Sequence, residues 1–244
     1  MDFPLIYCNG DSYSSENYHP DLVGNVYANF VATRYCGFVI NKSVSGSCNR
    51  RIIRTTVHDL IQQRQLNPAQ EIVALIGLSF ELRSEIWVQD VENKFGPEES
   101  DFKPHRFAED LTNLNNYGTP AKYFNQYTES RAFFYNAYAE RINLLCDLIM
   151  FRELMYNLNI KFLVFQGPRA EQLSSDYLLD NFKKQLQDDP HFIDFETFGF
   201  VNWCAEQKFT PLDMQERPLI AHYGPDAHKA FAEQILIPRL ESIK

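Results

Sequence analysis

Residues 6–12 read I-Y-C-N-G-D-S, an apolar run that stops on Gly-Asp-Ser. A serine hydroxyl becomes a nucleophile when a base takes its proton and nearby donors stabilise the oxyanion that follows. Here Gly10 permits a tight turn, Asp11 can brace the loop through backbone amides, and Ser12 follows at the turn's exit. Turns in general are rich in these residue types, so the tripeptide alone is equally an ordinary strand-to-loop turn. A base is offered far away in sequence, by residues 219–236, LIAHYGPDAHKAFAEQIL. His222 stands just before a turn and His228 on the helix after it. Imidazole titrates near neutrality, which suits His222 to general-base work, although a surface loop can carry such a histidine with no role at all. His228 reads as structural, packing on the last helix and bonding backbone.

Bringing Ser12 and His222 together needs a scaffold, and the chain alternates short apolar runs with longer amphipathic ones. Residues 4–8, 38–44, 71–78 and 161–167 read as strands. The run at 71–78, EIVALIGL, is nearly continuous, as expected of a strand covered on both faces. Helical spacing is expected over 21–36, 48–65, 131–157, about 174–187, and from about Asp226 to Ser242, with a short strand at HFIDF, 191–195. Strands alternating with helices predict an α/β fold with a mainly parallel sheet, whose sites lie at the carboxyl ends of its strands. Four runs end in small or polar groups, NGDS, SGSCN, GLS and QGPR, and all four would meet along that edge. Residues 90–129 are polar with little periodicity and are expected to form an insertion near the site rather than a separate domain. Phe95, Phe102, Tyr117 and Tyr123 could then line an acyl or sugar pocket.

The set GDSYS, Gly46 in VSGSCN, Gly77 in LIGLS, and a late histidine before the last helix resembles the SGNH, or GDSL-like, hydrolases. The order His222, loop, His228, Ala230, Phe231 is similar to that family's closing segment. VSGSCNRRIIRTT and IGLSFELRSEIW are most similar to a branch common among tailed phages. The resemblance spans nearly the whole chain. It implies one flavodoxin-like, three-layer domain over 1–244, a central sheet of about five strands, and serine-dependent hydrolysis of a carboxylic ester such as an O-acyl group on a carbohydrate. Ser12 would be the nucleophile, His222 the base, and the Ser12 and Gly46 amides oxyanion donors; no metal or organic cofactor is needed.

Two positions depart from the family pattern. The asparagine expected after Gly77 is missing, since Leu78 and Ser79 follow. Ser79 could donate its hydroxyl proton instead, or Asn49 could reach in; Asn49 could equally be only the N-cap of the following helix. The acid expected three residues before the histidine is Leu219. Asp213, Glu216 and Asp226 are the nearby carboxylates; Asp213 or Glu216 is preferred, because Asp226 suits the cap of the last helix. Arg50, Arg51 and Arg54 open the second helix, while Arg83 and Arg169 follow strands, and one of these could hold a substrate carboxylate or phosphate. A catalytically silent relative, used as a binding or structural module in a phage particle, is the alternative that these departures favour.

Composition narrows the partners. A net charge of −9 argues against general nucleic-acid binding, which needs concentrated Lys and Arg. Cys8, Cys36, Cys48, Cys146 and Cys204 are scattered with no CxxC pair, so neither a zinc site nor a redox motif is suggested and reduced cysteines are expected. MDFPLIYCNGD lacks the basic start and apolar stretch of a signal peptide, and no apolar run approaches membrane-spanning length. The expectation is a cytoplasmic protein, of a host cell if phage-encoded, or a virion-associated one, without a membrane partner. No GxGxxG or P-loop sequence supports a nucleotide-binding α/β protein.

Overall fold

A computed structural model describes residues 3–80, 83–87, 102–106, 137–168, 177–194, 197–213 and 221–243. Among these residues four parallel strands form the central sheet: β1 (Leu5–Asn9), β2 (Phe38–Asn41), β3 (Ile72–Leu78) and β6 (Lys161–Gln166), in the order β2-β1-β3-β6. Between β3 and β6 in sequence, β4 (Arg83–Trp87) and β5 (Phe102–Arg106) pair antiparallel as a separate two-stranded sheet. All seven residues of β3 are buried, because helices cover both faces of a strand that has neighbours on both sides.

Alternation along each strand sorts the core into two layers. One face presents Ile6, Cys8, Val73, Leu75, Leu163 and Phe165. It packs on Ala28 and Val31 of α1 (Tyr27–Tyr35) and on Phe231 and Leu240 of the closing helices, α6 (Pro225–Phe231) and α7 (Ile237–Ser242). The other face presents Leu5, Tyr7, Ile72, Ala74, Ile76, Phe162 and Val164. Against it lie Ile52 and Leu60 of α2 (Asn49–Leu66) and Leu148, Phe151 and Met155 of α3 (Ala137–Asn157). Each fully buried Leu, Ile or Phe stabilises by about 1.5–3 kcal/mol, so this sheet is a rigid platform for the loops at its edge. No helix among the described residues is long and apolar enough to cross a membrane.

Several expected elements differ, each for a local reason. Among the described residues the sheet has four strands rather than about five, since residues 191–194 make an isolated parallel bridge, Val164 with Phe192, and Gln166 bridges Gly199 in the same way. The helix expected over 21–36 is broken: a 3-10 turn at Pro20–Leu22 ends before Gly24, whose φ of +68° is left-handed, and α1 starts at Tyr27. Two further helices are α4 (Tyr177–Gln187) and α5 (Phe200–Glu206), the latter not anticipated from the sequence. Between α6 and α7 the backbone takes one π-helical turn, Ala232–Leu236, just before Pro238. Pro238 has no amide to give the carbonyl four residues earlier, and the wider turn absorbs that gap. Of the insertion at 90–129 only 102–106 lies within the described residues, where it is strand β5 rather than loop.

Candidate active site

The turn after β1 is held by its own side chains. The Ser14 amide donates to the Asp11 carbonyl at 3.1 Å, and the Tyr13 amide to Asp11 Oδ1 at 3.1 Å. A Cβ at Gly10 would strike Ser14 Oγ and lie 2.9 Å from the Gly77 carbonyl, so β1 turns here only with glycine. Neighbouring strand ends are tied to this turn and to one another. The Val44 amide donates to the Gly10 carbonyl at 3.1 Å, and the Gly167 amide to the Leu78 carbonyl at 2.8 Å. The four strand ends therefore meet at one edge of the sheet.

Ser12 Oγ lies 2.9 Å from His222 Nε2. On the far side of the ring, His222 Nδ1 is 2.9 Å from Asp213 Oδ2, while Asp213 Oδ1 accepts the His222 backbone amide at 2.7 Å. Asp213 reaches His222 because the two segments pair: Pro211 bridges Tyr223 antiparallel, and the Leu212 amide donates to the His222 carbonyl at 2.8 Å. Burial alone would raise the Asp213 carboxyl, but the His222 amide, the His222 ring and the Tyr18 hydroxyl together hold it below the usual carboxylate range. An ionised carboxylate only accepts, so the imidazole proton sits on Nδ1 and Nε2 is left to accept from Ser12. Burial also pushes His222 below its ordinary 6.5, against the upward pull of Asp213, and favours the neutral form that a base requires.

Tyr18 and Tyr13 surround this pair, and sequence reasoning missed both. The Tyr18 ring stacks on His222 with centroids 3.5 Å apart and its hydroxyl donates to Asp213 Oδ2 at 2.9 Å. Tyr13 also stacks on His222, at 4.7 Å. Their one signal in sequence is position, shortly after Ser12, and nothing in their type marks them.

The remaining sequence candidates divide. Asp11 is fully buried and accepts Arg83 Nη1 at 2.7 Å and Ser79 Oγ at 2.9 Å, while Arg83 Nη1 also donates to Ser79 Oγ at 2.8 Å. The Arg83 guanidinium and the Ser79 hydroxyl proton are thus directed at Asp11 rather than at a substrate, because a buried carboxylate needs both. Burial raises the Asp11 carboxyl, and Arg83, the Tyr13 amide and Ser79 pull it back. Asn49 is the first residue of α2, not its cap, which is Cys48. Its side chain clasps the Ser79 backbone, accepting from the amide at 2.7 Å and donating to the carbonyl at 3.1 Å. Gly77 is enclosed: a Cβ there would be 2.6 Å from Ser14 Oγ and 3.2 Å from Tyr27 Oη, so its role is close packing under the turn. Gly46 occupies a left-handed turn, φ +85°, ahead of α2. Neither its amide nor that of Ser12 donates to another described residue.

Glu216 and Arg169 lie outside the described residues. Asp226 stands in the first turn of α6, where a carboxylate suits the helix's amino end. Of the helix arginines, Arg51 donates to Ser47 Oγ at 3.0 Å. His228 is buried, stacked near Tyr27 and tilted against Phe200; burial pushes it down to about 3. Among the described residues no group of three or more His, Cys, Asp and Glu side chains is arranged to hold a metal ion.

No family model matches the sequence, and no curated protein matches it. Solved structures similar to the chain include a member of the lipolytic protein G-D-S-L family from Veillonella parvula DSM 2008. It is 15% identical with a TM-score of 0.42, covering 95% of this chain and 96% of that one. The psychrotrophic esterase EstA from Pseudoalteromonas sp., in a structure inhibited by monoethylphosphonate, is 11% identical with a TM-score of 0.46, covering 97% and 96%.

Proposed function

We propose that the chain is a serine-dependent hydrolase of carboxylic esters. The observation that carries the reading is the hydrogen-bonded line Ser12 Oγ, His222 Nε2, His222 Nδ1, Asp213 Oδ2, with both contacts at 2.9 Å. In this reading Ser12 attacks the ester carbonyl as its proton passes to His222 Nε2. The imidazolium, held by Asp213, returns that proton to the leaving alcohol, and water repeats the sequence on the acyl-enzyme. The Ser12 and Gly46 amides, which have no described partner, serve as oxyanion donors. As substrate class we propose O-acyl groups on carbohydrates, a reading that the partly exposed rings of Tyr18, beside His222, and Phe80, beside Tyr13, support.

A catalytically silent binding module, for instance in a phage particle, is the second reading. What favours it is the commitment of Ser79 to Asp11 and of Asn49 to the Ser79 backbone, which removes two side-chain oxyanion donors. Incubation with a fluorophosphonate, followed by peptide mass spectrometry, separates the two. Hydrolase chemistry requires one adduct on Ser12, absent in Ser12→Ala, together with turnover of simple and sugar acetates. An unlabelled wild-type protein leaves the binding module.

A further inference from the structure

The imidazole of His222 and the carboxylate of Asp213 are held by a third side chain from elsewhere in the chain. Tyr18 lies 195 positions from Asp213 in sequence, on the segment that leaves the nucleophile turn. The Asp213 carboxylate is fixed at both oxygens: Oδ1 by the His222 amide, and Oδ2 by the His222 ring and the Tyr18 hydroxyl together. At the same time the Tyr18 ring lies flat on the imidazole, 19° from parallel. One short stretch therefore bears the nucleophile, Ser12, and a clasp on the base and its acid.

Resting on the hydrolase reading above, we propose that Tyr18 is a positioning residue of this site, its hydroxyl fixing the Asp213 carboxylate while its ring fixes the plane of the His222 imidazole. The Tyr18 proton stays on its oxygen throughout; no proton passes through it. By drawing charge from Oδ2, the hydroxyl weakens the carboxylate's pull on the imidazole proton, and the ring shields that imidazole from water. Both effects keep His222 neutral. The other groups facing His222 are Asp11, which pulls its titration up, and Arg83, which pushes it down. The Tyr13 ring stacks on it, and His228, held neutral by burial, interacts with it through space. Asp213 faces His222, Tyr18 and Tyr223.

The test uses the full chain and two variants, Tyr18→Phe, which removes only the hydroxyl, and Tyr18→Leu, which removes the ring as well. Turnover of p-nitrophenyl acetate is measured beside an NMR titration of the His222 ring, assigned by its loss in His222→Gln. In Tyr18→Phe kcat should fall about ten-fold, the worth of one charge-assisted hydrogen bond, with KM changed less than about two-fold. The His222 midpoint should move up in Tyr18→Phe and further up in Tyr18→Leu. A Tyr18→Phe protein with wild-type kcat and an unmoved His222 titration overturns the proposal, whatever its melting temperature. The titration does not need catalysis: if wild type turns over no ester, the hydrolase reading falls, and the His222 midpoint in Tyr18→Phe still decides for or against the clasp.

Discussion

A neutral imidazole serves as a base only while the proton it already carries stays on the nitrogen turned away from the nucleophile. Asp213 meets that need for His222 by accepting at Nδ1. An amide in its place could present its NH2 to Nδ1, which would put the ring proton on Nε2, facing Ser12. Asp213→Asn should therefore lower kcat by roughly 10⁴-fold, as the serine-triad template implies, while its thermal midpoint stays near wild type. Retention of full activity would mean that His222 works with Ser12 alone. The pH profile gives a second check. Turnover needs the unprotonated ring, and burial, ahead of the opposing pull of Asp213, lowers His222 below 6.5. The acid limb of kcat/KM should accordingly fall below pH 6.5, with activity lost as pH drops through it; a limb above 6.5 would contradict the burial argument. Asp213 could be named from sequence only as one of two preferred carboxylates, beside Glu216, because its selection depends on the Pro211–Tyr223 bridge, which no local pattern encodes. Tyr18 could not be named at all, since its partners are distant in sequence.

Elements were legible where one physical demand dominated. β3 is buried at every residue, and its apolar run says so directly. The closing helix was legible too, by its periodicity. Legibility failed where a single residue overrode the pattern, as Gly24 does ahead of α1, or where a short run had only one bridge to make, as at Phe192. Gly77 shows the same dependence on contact. Its place in β3 looks like a weak point in a strand, yet Ser14 Oγ and Tyr27 Oη, themselves bonded at 2.6 Å, fill the space a side chain would need. Gly77→Ala should destabilise by about 1–3 kcal/mol through overpacking, read by urea denaturation. An unchanged midpoint would show that Ser14 and Tyr27 can yield. At the other end of the chain, His228 makes the fold sensitive to acid. Its native titration is depressed to about 3 against an ordinary 6.5, so below 6.5 the unfolded chain binds a proton that the native state refuses. Its contribution should lower stability by up to about 1.4 kcal/mol per pH unit as pH falls from 6.5 toward 3, and be absent above 6.5. In His228→Phe that acid slope should be smaller over the same interval; an identical slope would place the sensitivity elsewhere.

At the scale of the molecule, the candidate site is an assembly of loops that share one sheet edge and are tied to one another by polar contacts. The sequence made the shared edge legible, because four strand runs stop on small or polar residues. It could not make the ties legible, and Arg83 is the instructive case. Read as a residue after a strand, it could have faced a substrate. In the fold it opens β4, and its buried guanidinium meets Asp11, so the ion pair joins the small β4–β5 sheet to the turn that carries Ser12. The side chains of Arg83 and Asp11 are 4% and 0% exposed. Removing one partner of such a pair leaves an uncompensated buried charge, which costs about 3–5 kcal/mol, whereas removing both can be nearly neutral. Arg83→Met, which strands the buried Asp11 carboxylate, should then be strongly destabilised in urea, and Asp11→Asn should be destabilised as well. The double variant should recover most of the loss, because the side-chain amide then at position 11 can still accept from Ser79 and no charge is stranded. Its ester turnover tells whether the pair serves more than the fold. The nucleophile turn retains its bond from the Ser14 amide to the backbone carbonyl at position 11 in every variant. If the pair acts only as a tie, the double variant should therefore keep kcat within about ten-fold of wild type despite altered charge. Additive losses in the two single variants, with no recovery in the double, would show that Asp11 and Arg83 stabilise the molecule separately and that the ion pair is not what joins the β4–β5 sheet to the site.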